Sequence, residues 1–325
     1  MYKKLSDAKL KTGEDLEIGV VFAPDQENAE GVAKVLHHKG EPWLSHVNRA
    51  LSGDIKELET RFYVGKLDGQ IVANIMTTEY NRTGILGHVF TMPEQRQKGI
   101  CKFIMEQQMA DFKRRGGGIL ILGTGFNSHP YWIYHSFGFR SIIENTGYMR
   151  FSTEDDFEQK YFTPSSVKAV DVQWKHWSVI NVLMSVHEAE LVKSVSAGRY
   201  GIFNFEGGFL HFINQIEEGK LNAKLLESES GAVVGCITIE QDRRWAGNTY
   251  ILDMFMHKNF FSHYDVLLNS MELPEGKIQC FIDANAPREK INALEKAGFE
   301  HEALLKKQFS WCNDLYDVIL YSRFK

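Results

Sequence analysis

The residues with the clearest chemical potential form a short polar turn, which reads Arg96-Gln97-Lys98-Gly99-Ile100-Cys101. An apolar, strand-like run precedes this turn and a helix-like run follows it. Backbone N–H groups at the start of a helix lack an intrahelical partner, and the helix dipole favours an anion beside them. Gly99 has no side chain, so its backbone can approach a ligand closely. The turn is therefore typical of a phosphate-binding site, in which Arg96 and Lys98 could also pair with phosphate oxygens.

A second group of residues follows this turn in a fixed order. It comprises a short apolar strand at Ile119–Leu122, then Asn127, Tyr134 and Gly138-Phe139. Together with the turn, this order resembles the GCN5-related N-acetyltransferase (GNAT) family. The family's pattern at the turn is Gln/Arg-x-x-Gly-x-Gly/Ala. Cys101 stands where the family has Gly or Ala, and Cys is also small. The resemblance implies an acetyl-CoA site, at which the pyrophosphate binds the turn and the Asn127 side chain hydrogen-bonds the cofactor arm.

The resemblance also implies which residues contact acetyl-CoA. In the family, the strand before the turn supplies a backbone N–H to the oxyanion that forms during acyl transfer. The cofactor-binding residues expected in this way are Val89, Phe90, Thr91, Arg96, Gln97, Lys98, Gly99, Ile100, Cys101 and Asn127.

Acyl transfer from a thioester to an amine also needs proton transfer. The departing thiolate needs a proton or a hydrogen bond, and in the family a tyrosine at the position of Tyr134 often supplies it. Tyr134 is therefore the expected catalytic residue, and a core aromatic residue is the alternative interpretation. His88 on the central strand and Glu79 beside the hairpin are the two candidates for a general base, although strand alternation could turn His88 away from the substrate. The family often works through water, so no single base is required.

Composition limits the class of protein to which the chain can belong. Its 325 residues suffice for two domains of ordinary size. The net charge of −5 gives no basic surface for nucleic acid or for an anionic membrane. Neither a signal-peptide core nor an apolar run of transmembrane length occurs in the sequence. The four cysteines are far apart and lack metal-ligand spacing, which predicts a reduced, cytoplasmic protein without a metal.

The chain repeats its own pattern at a nearly constant offset. Two hairpin patterns turn at Asp68-Gly69 and Ser230-Gly231, and the glycines of these turns are 162 residues apart. The Gly-Phe pairs that begin at Gly138 and Gly298 are 160 residues apart. Recurrence of several elements at one offset indicates duplicated domains.

The sequence also predicts the boundary and the elements of these domains. An acidic segment with Pro and Ser, residues 152–166, reads as a linker, which divides the chain into domains 1–155 and 166–325. The first domain is predicted to contain helices over Glu27–His38, Leu44–Glu59 and Lys102–Arg115 and a hairpin over Phe62–Thr78. The predicted fold class is α/β, with two tandem GNAT-like domains, each a mixed, mostly antiparallel sheet flanked by helices.

The second domain lacks the residues that would carry the chemistry. No glycine occurs between Lys258 and Ser270, where the phosphate-binding turn would recur. Leu294 stands four residues before Gly298, whereas Tyr134 stands four residues before Gly138. The resemblance implies that such a degenerate copy packs on the active domain and shapes the substrate cleft.

Two classes of function fit these observations. The first is an acetyl-CoA-dependent N-acetyltransferase, whose acceptor is a primary amine of a small molecule or a peptide. The alternative is a non-catalytic acyl-CoA-binding or sensing module. The turn fits both classes, whereas Tyr134 favours the enzyme. No nucleic-acid or membrane partner is expected, and the oligomeric state stays open.

Overall fold

The computed structural model describes residues 1–324, which form two compact units. The first unit comprises residues 1–157, 174–181 and 206–211, and the second comprises residues 158–173, 182–205 and those from 212 to the end of the described chain. The units therefore differ from the continuous domains 1–155 and 166–325. Trp177 and Phe209, which lie in the two later segments of the first unit, stack with ring centroids 5.9 Å apart and are both buried. Burial of such large rings holds these segments in the first unit.

The first unit contains one sheet of eight strands. Its strands are β1 (Tyr2–Lys9), β2 (Asp15–Phe22), β3 (Glu59–Leu67), β4 (Gln70–Tyr80), β5 (Thr83–Thr91), β6 (Ile119–Gly123), β7 (Arg140–Ser141) and β8 (Tyr148–Ser152). Their order in the sheet is β1-β2-β3-β4-β5-β6-β8-β7. Only the β5–β6 pair is parallel among these strands. The mixed, mostly antiparallel sheet predicted from the sequence is confirmed.

Helices cover both faces of this sheet. They are α1 (Ala29–Leu36), α2 (Trp43–Ser52), α3 (Ile100–Arg114) and α4 (His129–Ser136). Val35 of α1 and Val47 of α2 pack on one face with Phe62 of β3. Ile104 and Phe112 of α3 belong to the core of the other face. The apolar stripes of these helices are therefore buried, as their periodicity predicts.

One predicted helix in the first unit is too long. The helix predicted over Leu44–Glu59 ends at Ser52, and Glu59 already begins β3. Gly53 adopts a φ of 91° and its N–H bonds the carbonyl of Ala50, which closes the helix. A left-handed glycine is the commonest way for a helix to stop, and the sequence prediction overlooked it.

The parallel strands β5 and β6 pair over only the first part of β5. Residue pairing between β5 and β6 runs from Thr83 opposite Ile119 to Ile85 opposite Ile121 and then stops, although β5 continues to Thr91. The β4–β5 register also shifts between Asn74 and Met76, which marks a β-bulge in the second half of β5. The two strands therefore diverge toward their carboxyl ends.

The second unit repeats this architecture. Its strands are β9 (Val167–Asp171), β10 (Val192–Ser194), β11 (Arg199–Tyr200), β12 (Asn222–Ser228), β13 (Val233–Gln241), β14 (Thr249–Met256), β15 (Lys277–Asp283), β16 (Glu300–Trp311) and β17 (Asp314–Phe324). Seven of these form a sheet in the order β16-β17-β15-β14-β13-β12-β9, and β10 pairs with β11. The remaining helices of the chain are α5 (Phe157–Tyr161), α6 (His176–Met184), α7 (Glu206–Glu217), α8 (Tyr264–Asn269) and α9 (Arg288–Lys296).

The internal repeat is thus visible in the topology of the two sheets. Hairpin β12–β13 corresponds to β3–β4, and the parallel pair β14–β15 corresponds to β5–β6. Two tandem GNAT-like α/β folds follow from this correspondence. No helix within residues 1–324 is both long and apolar enough to cross a membrane.

Candidate functional site

The polar turn lies where β5 diverges from β6. A 3₁₀ turn over Pro93–Gln95 follows β5, and α3 begins at Ile100. Gln97 and Gly99 both adopt positive φ angles, of 66° and 91°. A Cβ atom built on Gly99 would have only the Phe103 ring nearby, at 3.7 Å. The backbone at Gly99 is therefore open to a ligand, and its conformation disfavours any larger residue.

The first N–H groups at the start of α3 precede its intrahelical hydrogen bonds. The N–H groups of Lys102 and Phe103 donate to the carbonyl of Gly99 at 3.1 and 3.3 Å, which are the first bonds of the helix. Those of Gly99, Ile100 and Cys101 come before the first helical bond and so have no partner within the helix. Together with the helix dipole, these donors can hold a phosphate group. The turn is therefore a cradle with the donors that a phosphate ligand requires.

A cavity of about 840 Å³ adjoins this cradle, a volume sufficient for a cofactor-sized ligand. The residues that line it are Val89, Phe90, Thr91, Gln95, Arg96, Gln97, Gly99, Ile100, Cys101, Lys102, His129, Pro130 and Ile133. The structure therefore brings together eight of the ten residues expected to bind the cofactor. The other two, Lys98 and Asn127, do not line the cavity.

The Lys98 side chain pairs with other side chains of the protein instead of lining the cavity. Its ammonium group forms an ion pair with Glu14 and donates to the side chain of Gln95 at 2.9 Å. The hydrogen bond from Lys98 is the main cause that lowers the pKa of Glu14 to about 2. A contact between Lys98 and a phosphate is therefore not preformed. Arg96, in contrast, is exposed at the cavity, and its Nε donates to the carbonyl of Thr91 at 3.1 Å.

The Asn127 side chain bonds a residue close to it in the chain. It adopts a φ of 57°, and its side-chain oxygen accepts a hydrogen bond from the indole N–H of Trp132 at 2.8 Å. The N-cap of α4 is the next residue, Ser128, whose hydroxyl accepts from the N–H of Tyr131. Asn127 is therefore not the helix cap, and its contact with the cofactor arm stays a prediction.

Tyr134 lies on α4 and is buried, with 7% of its surface exposed. Burial is the main cause that raises its pKa, and the Cys101 thiol and the Glu206 carboxylate raise it further. The phenol therefore keeps its proton at neutral pH and can act as a donor. Its neighbour Cys101 also keeps its proton, because burial raises the pKa of that thiol to about 11. A thiol in this state is not a nucleophile.

His88 occupies the bulge of β5 with a φ of 50°. Its ring meets Trp43 edge-on, with centroids 5.2 Å apart, and only 6% of the residue is exposed. Burial, with smaller contributions from Lys39 and His38, lowers the pKa of His88 to about 3. The imidazole is therefore neutral, and its low basicity makes it a poor general base.

Glu79 does not belong to the site. Both of its carboxylate oxygens accept from Arg115, at 2.6 and 2.9 Å, and one also accepts from the Thr77 hydroxyl. Arg115 further bonds Asp111, which accepts from the Tyr63 hydroxyl. The sequence placed Glu79 among the candidates for a base, but this buried network ties its carboxylate to the end of α3. Its role here is structural.

A cluster of residues that no sequence motif indicates lies near Gly87 of β5. Glu206 lies against β5, and a Cβ atom built on Gly87 would be 2.7 Å from its Oε1. Trp177 donates from its indole N–H to the Glu206 carbonyl at 3.0 Å. Trp43 and His46 complete the cluster, with the His46 and Trp177 ring centroids 4.6 Å apart. No motif could have revealed Glu206, because it is more than a hundred residues from β5 along the chain.

The split sheet, the phosphate-type turn and the adjoining cavity occur together in the first unit. Residues 24–152 match the family model described as an acetyltransferase (GNAT) domain. The chain therefore carries an N-acetyltransferase domain of the GCN5-related family in its first half. Within residues 1–324, no group of three or more His, Cys, Asp or Glu side chains could hold a metal ion.

Several solved structures resemble about half of the chain. A phosphinothricin acetyltransferase from Sinorhizobium meliloti in complex with AcCoA is 16% identical, with a TM-score of 0.40 over 48% of this chain and 87% of its own. A variant of the spermidine N-acetyltransferase SpeG from Vibrio cholerae is 13% identical, with a TM-score of 0.38 over 48% and 92%. A ribosomal-protein-alanine N-acetyltransferase from Brucella melitensis is 14% identical, with a TM-score of 0.36 over 48% and 99%. Among curated protein sequences there is no significant match.

Proposed function

We propose that the first unit transfers the acetyl group of acetyl-CoA to a primary amine of a small molecule or a peptide. The observation that carries this proposal is the cradle at Gly99. N–H groups without a partner inside the helix, an open left-handed glycine and a cavity of about 840 Å³ occur together at one end of the diverging strands. Acetyl-CoA, when bound, supplies an acetyl group activated as a thioester.

Some residues of the chain would then bind acetyl-CoA, and Tyr134 would transfer a proton. The N–H groups of Gly99, Ile100 and Cys101 bind phosphate oxygens, and the exposed Arg96 guanidinium adds charge. Tyr134 holds a proton close to Cys101 at the start of α3 and gives it to the sulfur that leaves. The Tyr134 phenol is protonated at neutral pH, which is the state that this role requires.

The supporting experiment is a thiol-release assay with acetyl-CoA. A panel of alkylamines, polyamines, aminoglycosides and peptides serves as acceptors, and the acetylated product is identified by mass spectrometry. We expect release of CoA that depends on one class of amine. Tight CoA binding by calorimetry without release for any acceptor would favour the alternative, a module that binds or senses acyl-CoA.

Two further features belong to the same proposal. The second unit is proposed to serve as a structural partner of the active one. A cytoplasmic location is proposed because the four cysteines, Cys101, Cys236, Cys280 and Cys312, are all free thiols.

A further inference from the structure

Two positive charges lie near Phe90, a residue of β5 that lines the cavity and packs toward α1 and α2. The guanidinium carbon of Arg96 is 5.4 Å from the centroid of the Phe90 ring, and the His38 imidazole stacks on the same ring with centroids 4.0 Å apart. Burial lowers the pKa of both His38 and His88, and the Lys39 ammonium group lowers each further. Lys39 is therefore close to both imidazoles, and the two positive charges flank one border of the cavity.

The protein does not neutralise these charges. Within residues 1–324, neither Lys39 nor Arg96 forms an ion pair with a carboxylate, and the Arg96 Nε donates to the neutral carbonyl of Thr91. The acidic residue nearest to Lys39 along the chain is Glu41, whose carboxylate accepts from the N–H of Ser45 at 3.1 Å. Lys39 is half-buried, so its ammonium group has lost part of its hydration without gaining a counter-ion. An anion at this border would supply that counter-ion.

His88 adds an unpartnered polar atom beside Lys39. Its Nε2 has no hydrogen-bond partner among the described residues, although the residue is only 6% exposed. A buried nitrogen in this state is costly unless a ligand completes it. The imidazole is neutral, because burial lowers its pKa to about 3, so one of its two nitrogens carries a proton. With that proton on Nε2, His88 can donate to an oxygen of the anion that Lys39 pairs with.

These groups lie before the phosphate-type turn along the chain. His88 and Phe90 are two residues apart, about 7 Å along an extended strand, and Val89 between them is the first residue of β5 that lines the cavity. The cradle for phosphate lies beyond this strand, at Gly99. An anion beside Lys39 and His88 would therefore lie next to the strand expected to hold the reacting carbonyl, where the acceptor must also bind.

We propose that Lys39 and His88 bind an acidic group of the acceptor, which is therefore a small amine that carries a carboxylate or a phosphate close to its nitrogen. This inference rests on the proposed acetyltransferase function, since it specifies the acceptor of the same site. Lys39 pairs with one oxygen of the acidic group, His88 Nε2 donates to it, and Arg96 adds to the positive field. The amine stays free to attack the acetyl carbon.

The kinetic test uses acceptors that differ only in the acidic group. Short ω-amino acids and ω-aminoalkyl phosphates are compared with n-alkylamines that have the same number of methylene groups. In wild type we expect at least one acidic acceptor to exceed its alkylamine in kcat/KM by about tenfold or more. Lys39→Gln should abolish this advantage, mainly through a higher KM, and Lys39→Arg should keep most of it. Alkylamines that match every acidic acceptor in wild type would overturn the proposal.

The matched control for this test is Lys34→Gln. Lys34 is an exposed lysine of α1 and lies five residues before Lys39. Its variant has the same change of net charge as Lys39→Gln and should keep the wild-type advantage of acidic acceptors. An equal loss in both variants would show that net charge, and not a site at Lys39, selects the acceptor.

A cofactor test excludes a role of Lys39 in holding acetyl-CoA. Calorimetry compares the binding of CoA and of dephospho-CoA, which lacks the 3′-phosphate, to wild type and to Lys39→Gln. We expect the variant to bind each compound within about twofold of wild type, because the cradle is unchanged. A variant that loses affinity for CoA but not for dephospho-CoA would assign Lys39 to the 3′-phosphate and overturn the proposal.

A binding test separates this inference from the proposed function. The best acidic amine and its matched alkylamine are titrated by calorimetry into the whole protein saturated with CoA, so no transfer is needed for the readout. We expect wild type to prefer the acidic amine by about tenfold and Lys39→Gln to bind both equally. If wild type shows this preference but acetylates nothing, the enzymatic proposal fails while the anion site stands. Equal binding of the two amines by wild type would refute the anion site itself.

Discussion

Asn74 donates a hydrogen bond from its side-chain amide to the backbone carbonyl of His88, with the two atoms 3.0 Å apart. The bond spans the β4–β5 bulge, where the register shifts between Asn74 and Met76. A backbone carbonyl that has left the ladder needs another donor when it is buried, and the Asn74 amide supplies it. The same bulge gives His88 its positive φ and leads β5 into the cavity. One side chain on β4 thus fixes the shape of the strand that borders the site.

We expect Asn74→Ala to destabilise the protein and to impair the site together. Loss of this bond leaves the buried His88 carbonyl unsatisfied, which costs about 1–3 kcal/mol in the free energy of unfolding. Urea denaturation followed by tryptophan fluorescence measures this change. Asn222→Ala, an exposed asparagine on β12, is the control and should change stability by less than about 0.5 kcal/mol. Equal stability of the two variants would show that the bulge does not depend on Asn74.

Gly99→Val should weaken the binding of CoA by at least about tenfold, which is about 1.4 kcal/mol. A β-branched side chain disfavours the φ of 91° that Gly99 adopts and covers the backbone donors of the cradle. Calorimetry of CoA binding provides the measurement.

The control for this prediction is Gly116→Val. Gly116 also has a positive φ, of 76°, and a Cβ atom there would meet nothing within 4 Å. It follows the other end of α3, so the variant carries a similar backbone strain away from the cradle. We expect it to keep the affinity of wild type. If both variants bind CoA as wild type does, the phosphates bind elsewhere.

Tyr134→Phe should lower kcat by about 10²–10⁴ with little change in CoA affinity. The change removes only the hydroxyl, and the effect on the thiolate develops only in the transition state. Because burial raises the pKa of Tyr134, wild-type activity should persist well into alkaline pH, and any alkaline limb set by this phenol should disappear in the variant. Tyr131→Phe, on the same helix, removes a hydroxyl that pairs with Ser141 and is the control. A wild-type kcat for Tyr134→Phe would leave Tyr134 as a core residue.

Acid should destabilise the first unit through its buried histidines. Burial lowers the pKa of His46 from 6.5 to about 3 in the folded state. The unfolded chain therefore binds more protons between these two values, and the free energy of unfolding falls as pH decreases from 6.5 towards 3. His46→Phe should flatten this dependence, as measured by urea unfolding at about pH 7 and about pH 5. The exposed His301→Phe should keep the slope of wild type, and an unchanged slope in His46→Phe would contradict the prediction.

We expect one CoA site per chain. In the second unit the pairing of β14 and β15 also stops early, after Ile251 opposite Gln279, but β10 of the same unit lies against both strands. The Asp253 carboxylate of β14 accepts from the N–H groups of Val195 and Ser196, which anchors the segment after β10. β10 and the segment after it therefore occupy the gap between the diverging strands β14 and β15. Calorimetry should give a stoichiometry of one, and two equivalent sites would show that this segment can be displaced.

The sequence by itself determined much of the fold and the position of the turn at Gly99. The Asp68-Gly69 turn predicts the β3–β4 hairpin, and the spacing of apolar residues predicts α3. The Gly99 turn predicts the cradle. The hairpin and helix predictions succeed because hairpin turns and helical stripes depend on residues that are neighbours in the chain.

Only the tertiary structure decided the contacts of the acidic residues Glu79 and Glu206. The sequence offered Glu79 only as one of two candidates for a base, and its partner Arg115 comes to it through the packing of α3 on the sheet. Glu206 reaches Gly87 through the burial of residues 174–181 and 206–211 in the first unit. Contacts between residues so distant in sequence depend on how whole elements pack, and no local pattern encodes them. The turn at Gly99 can therefore be recognised in the sequence, whereas the contacts of Glu79 and Glu206 arise only in the folded chain.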